Sequence, residues 1–178
     1  MDILIVGDSF AVENDNKNSW QNRLKLKHNI VNTAVGGISE YKIYRQLVDN
    51  IDQKWDRIIV VHTSPFRVHT RQHPVHEHGD LMARDIEFHA NKLKNKFNRS
   101  LQSARDFFYY HYDEEYFSDV YILLRNEIKA LAPNAIHLCA WDWDTVLYNA
   151  YKKYPGDTNW LSDEGHKQIW KYLNEQGL

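Results

Sequence analysis

The feature that most constrains the fold of this chain is a short apolar run at its beginning. Residues 3–6 are all aliphatic, and the run ends at Gly7, Asp8 and Ser9. A continuous apolar run of this length, closed by a turn, predicts a strand that is buried on both faces. Strands of that kind belong to parallel sheets that are covered by helices on both sides.

The rest of the chain continues this pattern. Three further segments have the character of strands: residues 29–35, 57–61 and 135–140. Ser39 and Ser162 each precede a stretch with apolar residues at helical spacing, and serine is a favoured N-cap residue. The alternation predicts an α/β protein with a parallel sheet whose strands run in the order second, first, third, fourth. Active sites in such sheets lie beyond the carboxyl ends of the strands.

One segment interrupts the alternation. Residues 66–117 are long, polar and rich in His, Arg, Asn and Tyr. We expect loop with some helix up to about residue 98, and one or two helices with aromatic faces over residues 103–131. The length suits a single domain, residues 1–178, that carries this insertion as a lid, an oligomer contact or a solvated elaboration.

Composition excludes several classes of partner. The formal net charge is -2, so no basic surface indicates nucleic acid or an anionic membrane. No apolar run has the length of a signal peptide or a membrane span, and Cys139 is the single cysteine. These features predict a cytoplasmic protein. No glycine-rich nucleotide motif is present, and we expect no cofactor.

The chemistry of the strand ends points to a nucleophile. Ser9 follows the first strand, and Gly37 and the Thr63–Ser64 pair follow the second and third. A serine hydroxyl becomes reactive when a base removes its proton and donors stabilise the oxyanion. The alternative is that Ser9 only caps the following helix.

Two blocks of sequence resemble the SGNH (GDSL-type) hydrolase superfamily. They are Gly7-Asp8-Ser9 after the first strand, and Asn32 with Gly37 five residues later. The resemblance implies a three-layer α/β/α sandwich with a flavodoxin-like parallel sheet. It implies that Ser9 is the nucleophile and that the backbone N–H groups of Ser9 and Gly37 form an oxyanion hole. The substrate would be a small ester, an acetylated carbohydrate or a lipid-like acyl ester.

The third block departs from that family. An asparagine usually follows the third strand, whereas this chain has His62-Thr63-Ser64-Pro65-Phe66-Arg67. The hydroxyl of Thr63 or Ser64 would then serve as the additional oxyanion donor. A Thr-Ser-Pro-x-Arg segment and an aromatic stretch like residues 109–116 are similar to a phage-type branch, which would place the protein in a host cytoplasm.

The fourth block has two registers. The family ends with Asp-x-x-His before the last helix, and Asp163 with His166 forms one such pair. The resemblance implies that His166 is the base and that Asp163, or alternatively Asp157, orients it. In the second register Asp157 and Trp160 occupy these positions, and the last helix keeps the length that is usual in the family. This register is the favoured one, and it replaces the catalytic histidine by Trp160. The chain would then be a catalytically impaired binding or structural module.

Other histidines of the sequence are candidates to replace the missing catalytic histidine. His62 ends the third strand, near the expected cleft. His73, His76 and His78, with Asp80 nearby, have a spacing that suits zinc, but no regular element supports them in the sequence. We therefore expect no metal.

Overall fold

The computed structural model describes residues 1–156 and 161–178. Six strands are present in these ranges: β1 (Asp2–Gly7), β2 (Asn29–Asn32), β3 (Arg57–His62), β4 (Arg67–Val68), β5 (Leu81–Met82) and β6 (Ile136–Cys139). The helices are α1 (Trp20–Lys25), α2 (Glu40–Val48), α3 (Ala83–Ala90), α4 (Arg99–Tyr110), α5 (Glu114–Leu131), α6 (Val146–Lys153) and α7 (Asp163–Glu175), with a short 3-10 helix at Leu93–Asn95.

The central sheet has four parallel strands in the order β2-β1-β3-β6. This is the order that the alternating pattern predicts, so that prediction is confirmed. In its register, Leu4 lies opposite both Val31 and Ile58. Because all four strands are parallel, their carboxyl ends meet at one edge, where residues 8–9, 36–37 and 63–64 follow them.

Alternate residues of the strands are buried in two separate hydrophobic cores, one on each face of the sheet. Ile3 and Ile5 pack on one face of the sheet, in a cluster with residues of α1, α6 and α7. Leu4 and Val6 pack on the other face, with residues of α2 and α5. Every one of these four side chains is fully buried, as the continuous apolar run predicts. The expected three-layer α/β/α arrangement is confirmed.

The inserted segment builds a small core of its own. β4 and β5 pair as an antiparallel hairpin, and α3 packs on α4 through a cluster of four buried residues: Ile86, Ala90, Leu101 and Ala104. The Asp80 backbone N–H donates to the Gly37 carbonyl at 2.8 Å, which joins the insertion to the edge of the main sheet. Where one or two helices are expected over residues 103–131, the structure has two, α4 and α5. None of the described helices is long and apolar enough to cross a bilayer.

Candidate active site

Ser9 lies in the turn that leaves β1, at the carboxyl edge of the sheet. A Cβ atom on Gly36 would stand 3.8 Å from the Cβ of Ser9, so the two expected strand ends are adjacent. Ser9 does not cap a helix, because α1 begins at Trp20 and the side chain of Ser19 accepts its capping hydrogen bond from Asn22. The capping alternative for Ser9 is therefore wrong.

The turn that carries Ser9 is held from the neighbouring strands. The Asn32 side chain donates to the Ala11 carbonyl at 2.8 Å, and the Val35 N–H donates to the Gly7 carbonyl at 3.1 Å. Gly7 has a positive φ of 154°, and a Cβ there would stand 2.7 Å from both the Cβ and the carbonyl oxygen of Val61. Only glycine fits this contact with β3, which explains its place before the Asp8–Ser9 pair.

Gly37 is fixed by its carbonyl oxygen. Both the Asp80 N–H, at 2.8 Å, and the Arg67 Nη1, at 3.1 Å, donate to it. The φ of Gly37 is 74°, a left-handed conformation that favours glycine. The residue whose N–H would be an oxyanion donor is therefore anchored, through its own carbonyl, by the insertion and by the arginine of the third block. The role of Arg67 was missed from the sequence, although its motif was noticed.

Asp8 is buried directly beside the candidate nucleophile and is 2% exposed. Burial raises the pKa of its carboxyl group to about 7, against the opposing effects of the Phe10 N–H, the Thr63 hydroxyl and Arg67. The Phe10 N–H donates to Asp8 Oδ1 at 3.1 Å. The Thr63 hydroxyl stands near the carboxyl without reaching full hydrogen-bond geometry. A carboxyl group of this kind is close to half-protonated at neutral pH.

Thr63 and Ser64 lie where the sequence predicts them, but both are buried, at 0% and 1% exposure. The Ser64 hydroxyl accepts from the Phe66 N–H at 3.3 Å within its own turn. The Thr63 backbone is held at both ends, by Glu40 Oε2 at 3.3 Å from its nitrogen and by the Tyr121 hydroxyl at 3.2 Å from its oxygen. The Ser64 hydroxyl and the backbone contacts of Thr63 therefore stiffen the third block, and the use of either hydroxyl as an oxyanion donor stays a prediction.

His62 is excluded as a substitute base. Its side chain is fully buried, and its Nδ1 lies 2.5 Å from Glu40 Oε1 while its Nε2 lies 2.9 Å from Nδ1 of His137. Burial and the neighbouring His62 lower the pKa of His137 to about 4. Both ring nitrogens of His62 are thus engaged in a Glu40–His62–His137 chain, which no local sequence pattern indicates. Neither is free to take a proton from Ser9.

The first register of the fourth block is only partly assembled. Asp163 and His166 both lie in the first turns of α7, but no hydrogen bond joins them or reaches Ser9 within the described chain. The His166 ring is 3% exposed, and its Nδ1 accepts from the Trp20 N–H at 3.5 Å. The second register predicts a His166 ring that lies along the surface of α7, and this expectation is wrong because the ring packs inward against α1.

Asp163 has other partners. The side-chain amides of Asn16 and Asn18 donate to its two oxygens at 2.8 Å each. These two hydrogen bonds lower the pKa of Asp163, while burial lowers that of His166. At neutral pH the pair is an ionised carboxylate beside a neutral imidazole, the charge state of a resting triad. Asp157 and Trp160 of the second register lie outside the described residues.

The histidine cluster of the insertion differs in membership from the one expected. Nε2 atoms of His73, His76 and His89 surround Asp85 at 3.1–3.6 Å, whereas His78 is exposed and Asp80 binds Lys42 and the Ser39 and Thr70 N–H groups. His73, His76 and Asp85 offer ligand atoms within 4.8 Å of one another.

The protonation of His73 does not suit a metal. Its Nδ1 accepts from the N–H groups of Val75 and His76 at 3.1 and 3.0 Å. A neutral ring that accepts at Nδ1 carries its proton on Nε2, the atom that would have to bind the ion. The cluster therefore fits a ring of imidazoles around the Asp85 carboxylate better than a zinc site.

A cleft of about 890 Å³ opens beside Gly36 and Gly37. The insertion contributes His76, Arg84 and Phe88 to its lining, and Trp141 and Tyr151 line it from outside the insertion. Tyr151 also packs edge-to-face on Phe10, one residue after Ser9, at 5.2 Å between ring centroids. The volume and mixed aromatic and polar lining are those of a small-molecule site.

No protein-family model matches the sequence, and no curated protein matches it. Among the solved structures that this chain resembles, three are similar over 98% of its length. A lipolytic protein of the G-D-S-L family from Veillonella parvula DSM 2008 is 14% identical, with 96% of its chain covered and a TM-score of 0.43. The psychrotrophic esterase EstA from Pseudoalteromonas sp. is 12% identical, with 94% covered and a TM-score of 0.46. TesA is 13% identical, with 97% covered and a TM-score of 0.46. The chain is similar, over nearly its whole length, to these three solved structures, of which one is described as a lipolytic G-D-S-L protein and one as an esterase.

Proposed function

We propose that this chain is a serine-nucleophile hydrolase of the SGNH type that acts on an ester or acetyl group. The observation that carries the proposal is the position of Ser9: it stands at the carboxyl edge of the parallel sheet, beside the Gly36–Gly37 turn that borders the large cleft. This is where enzymes with parallel sheets place their reactive groups.

The proposed reaction begins with attack of the Ser9 hydroxyl oxygen on the ester carbonyl carbon. His166 takes the hydroxyl proton, and the N–H groups of Ser9 and Gly37 stabilise the oxyanion, with Thr63 or Ser64 as a further donor. Collapse of the tetrahedral intermediate releases the alcohol, which receives the proton from His166. Water then attacks the acyl-enzyme by the same route, and the acid leaves while Ser9 regains its proton.

His166 must change its protonation pattern to do this. Its Nδ1 now accepts from Trp20, so the ring proton resides on Nε2. A base for Ser9 needs the proton on Nδ1, directed at a carboxylate, and a free lone pair on Nε2. The hydrogen bond to be given up is long, at 3.5 Å, and the Asp163 carboxylate is ionised nearby.

The cleft favours a polar ester with a ring. Trp141 and Tyr151 offer aromatic faces, and Arg84 and Lys152 offer charge and hydrogen bonds at its margin. A small-molecule or carbohydrate ester fits this lining. The proposal extends to a single cytoplasmic domain of the phage-type branch without nucleic-acid or membrane partners. Self-association would use exposed rings of the insertion: Phe97, Tyr109, Tyr110 and Tyr116.

The second candidate, a catalytically impaired module of the same fold, has its own support. Both oxygens of Asp163 accept hydrogen bonds from Asn16 and Asn18, and the His166 ring packs against α1. In that case the cleft would bind a ligand without cleaving it, and Trp160 would stand in place of the base.

Hydrolysis of nitrophenyl acetate and of an acetylated sugar tests the proposal. We expect activity that Ser9→Ala lowers about a thousandfold or more, since loss of a triad nucleophile costs several orders of magnitude. Ser100→Ala, a change at an exposed serine of α4, is the matched control. A fluorophosphonate should add its mass to the peptide that contains Ser9. Activity that survives Ser9→Ala would refute the proposal, and a chain that neither hydrolyses esters nor reacts with the fluorophosphonate would favour the impaired module.

A further inference from the structure

The insertion carries two segments of opposite charge. The basic segment, residues 92–99, holds three lysines and one arginine and has no acidic residue. The acidic segment, residues 113–119, holds two aspartates and two glutamates and has no basic residue. Neither segment forms an ion pair within the part of the chain that the structure describes. Both charges are therefore left for a partner.

Large apolar side chains accompany these charges. Leu93 and Phe97, in the basic segment, are each 90% exposed, and Tyr109 and Tyr110, just before the acidic segment, are 80% and 74% exposed. Clustered exposed side chains of this kind mark an interaction surface. Burial of an aromatic ring removes about 150–250 Å² from water, so these four residues supply most of the roughly 800 Å² that each partner buries in a standard interface.

Helix α4 separates the two segments. Its 12 residues span about 18 Å, more than twice the distance of about 8 Å over which exposed charges interact in physiological salt. The helix begins at Arg99 and has no acidic residue in its first turn, although the helix macrodipole favours anions there. An acidic group from another molecule would satisfy the basic segment and the start of α4 together.

The face of α4 opposite its buried residues is self-complementary. Four exposed residues form a stripe along it, at spacings of four, three and four: Arg99, Ser103, Asp106 and Tyr110. If a second α4 lies antiparallel across the midpoint of the stripe, Arg99 faces the ring of the partner's Tyr110 and Ser103 faces the partner's Asp106. A guanidinium stacks on a tyrosine ring, and a serine hydroxyl donates to a carboxylate. Asp106 lies 3.6 Å from Arg105 in its own helix, but its side chain is still 55% exposed.

We propose that this surface binds a second copy of the chain, with the two α4 helices packed antiparallel across a two-fold axis. The basic segment of each copy then lies beside the acidic segment of the other, and each contact forms twice. A two-fold dimer needs a self-complementary surface of this kind. Nucleic acid and anionic lipid would be repelled by the acidic segment, which favours a protein partner that carries both signs of charge. The interface does not depend on hydrolysis by Ser9.

Sedimentation velocity of the whole chain, over a range of protein concentrations and at low and high salt, tests the proposal. We expect a species with twice the mass of one chain whose population rises with concentration. Salt should weaken this dimer, because its charge contacts lie at the exposed margin of the interface. A chain that stays monomeric into the high micromolar range, or a dimer that salt does not weaken, would overturn the proposal.

Charge reversal tests the pairing of the two segments. An acidic variant carries Lys94→Glu with Lys96→Glu, and a basic variant carries Glu114→Lys with Glu115→Lys. Each variant alone sets like charges against each other at both contacts, so we expect its dimer dissociation constant to rise about tenfold or more. In an equal mixture, both contacts join opposite charges again, and a heterodimer should form as tightly as the original dimer. Its recovery would also show that both variants are folded, whereas a mixture that stays monomeric would refute the antiparallel arrangement.

A matched control separates local pairing from net charge. Lys54→Glu with Lys171→Glu changes the net charge as much as the acidic variant does, at exposed positions outside the insertion, and should leave the dimer unchanged. Equal weakening by this control and by the acidic variant would overturn the proposed contact. Ser9→Ala should dimerise as tightly as the unmodified chain, so an inert Ser9 would refute the proposed hydrolase and leave the dimer standing.

Discussion

The Nδ1 atom of His166 accepts a hydrogen bond from the backbone N–H of Trp20 at 3.5 Å, across the junction of α7 and α1. In a neutral imidazole the accepting nitrogen carries no proton, so the proton is on Nε2. A serine-activating histidine has the opposite arrangement. The resting state therefore joins two helices through the same residue that the proposed reaction requires, and catalysis needs one proton shift and the loss of one long hydrogen bond.

Gly7 should tolerate no side chain. Because a Cβ at this position would stand 2.7 Å from the backbone of β3, Gly7→Ala forces β1 and β3 apart. Overpacking of this kind costs about 1–3 kcal/mol or more, and the positive φ adds strain. We expect a lower midpoint in urea unfolding for Gly7→Ala.

Gly37→Ala is the matched control for Gly7. Its φ is also positive, but the nearest atom to a new Cβ would be Arg67 Nη1 at 3.6 Å, an ordinary contact. Only conformational strain of about 1–2 kcal/mol remains. A Gly7→Ala protein as stable as Gly37→Ala would contradict the close approach of the two strands.

The Glu40–His62–His137 chain should behave as one coupled unit. We expect Glu40→Gln and His62→Gln each to destabilise the protein strongly, because each leaves a buried polar partner unsatisfied. The double variant should cost less than the two single costs added together. The coupling free energy of contacting buried residues lies at about 0.5–3 kcal/mol, and urea unfolding measures it.

The exposed pair Arg45–Asp49, on the same helix as Glu40, is the control cycle. Surface pairs at this spacing couple by about 0.3–0.5 kcal/mol. Equal coupling in the two cycles would show that burial adds nothing to the Glu40–His62 interaction.

The sequence predicted the elements that depend on local pattern and missed those that depend on contacts across the fold. Strand order, the three layers and the place of Ser9 follow from apolar runs and short connections. The Glu40–His62 pair joins residues 22 positions apart, and the Asn16–Asp163 hydrogen bond joins residues 147 positions apart. No local sequence pattern indicates such partners. The inward packing of His166 was misjudged for the same reason, because its position depends on how α1 meets α7.

Asp8 should make stability depend on pH. Its pKa is raised from 3.8 to about 7 by burial, so the folded state holds a proton that the unfolded state releases above pH 4. Folding stability is therefore favoured at low pH and falls between about pH 4 and pH 7, by roughly 4 kcal/mol for the full shift. Asp8→Asn should remove this slope.

The buried His137 changes the stability of the protein with pH in the opposite direction. The pKa of His137 is lowered to about 4, so its contribution to stability rises as the pH rises from 4 to 6.5. The measurement is therefore the difference in unfolding free energy between the unmodified chain and Asp8→Asn at each pH. That difference should change with pH over this window. Asp52→Asn, the same substitution at an exposed position, is the matched control. A difference for Asp8→Asn that is constant with pH would show that Asp8 is not shifted.

His166 and Trp160 separate a working triad from an impaired one. If His166 is the base, hydrolysis of simple esters is slow, since the resting proton is on the wrong nitrogen, and His166→Ala should lower it by several orders of magnitude. Burial lowers the pKa of His166 below 6.5, so the base stays unprotonated and the rate should hold steady from pH 8 to below pH 6.5. The exposed His111→Ala is the control.

A chain in which Trp160 has replaced the base gives the opposite pattern: no hydrolysis in the unmodified protein, no effect of His166→Ala, and Ser9-dependent activity gained by Trp160→His. An indole offers only an N–H donor and cannot take the serine proton, whereas an imidazole can, so this gain would assign the second register directly.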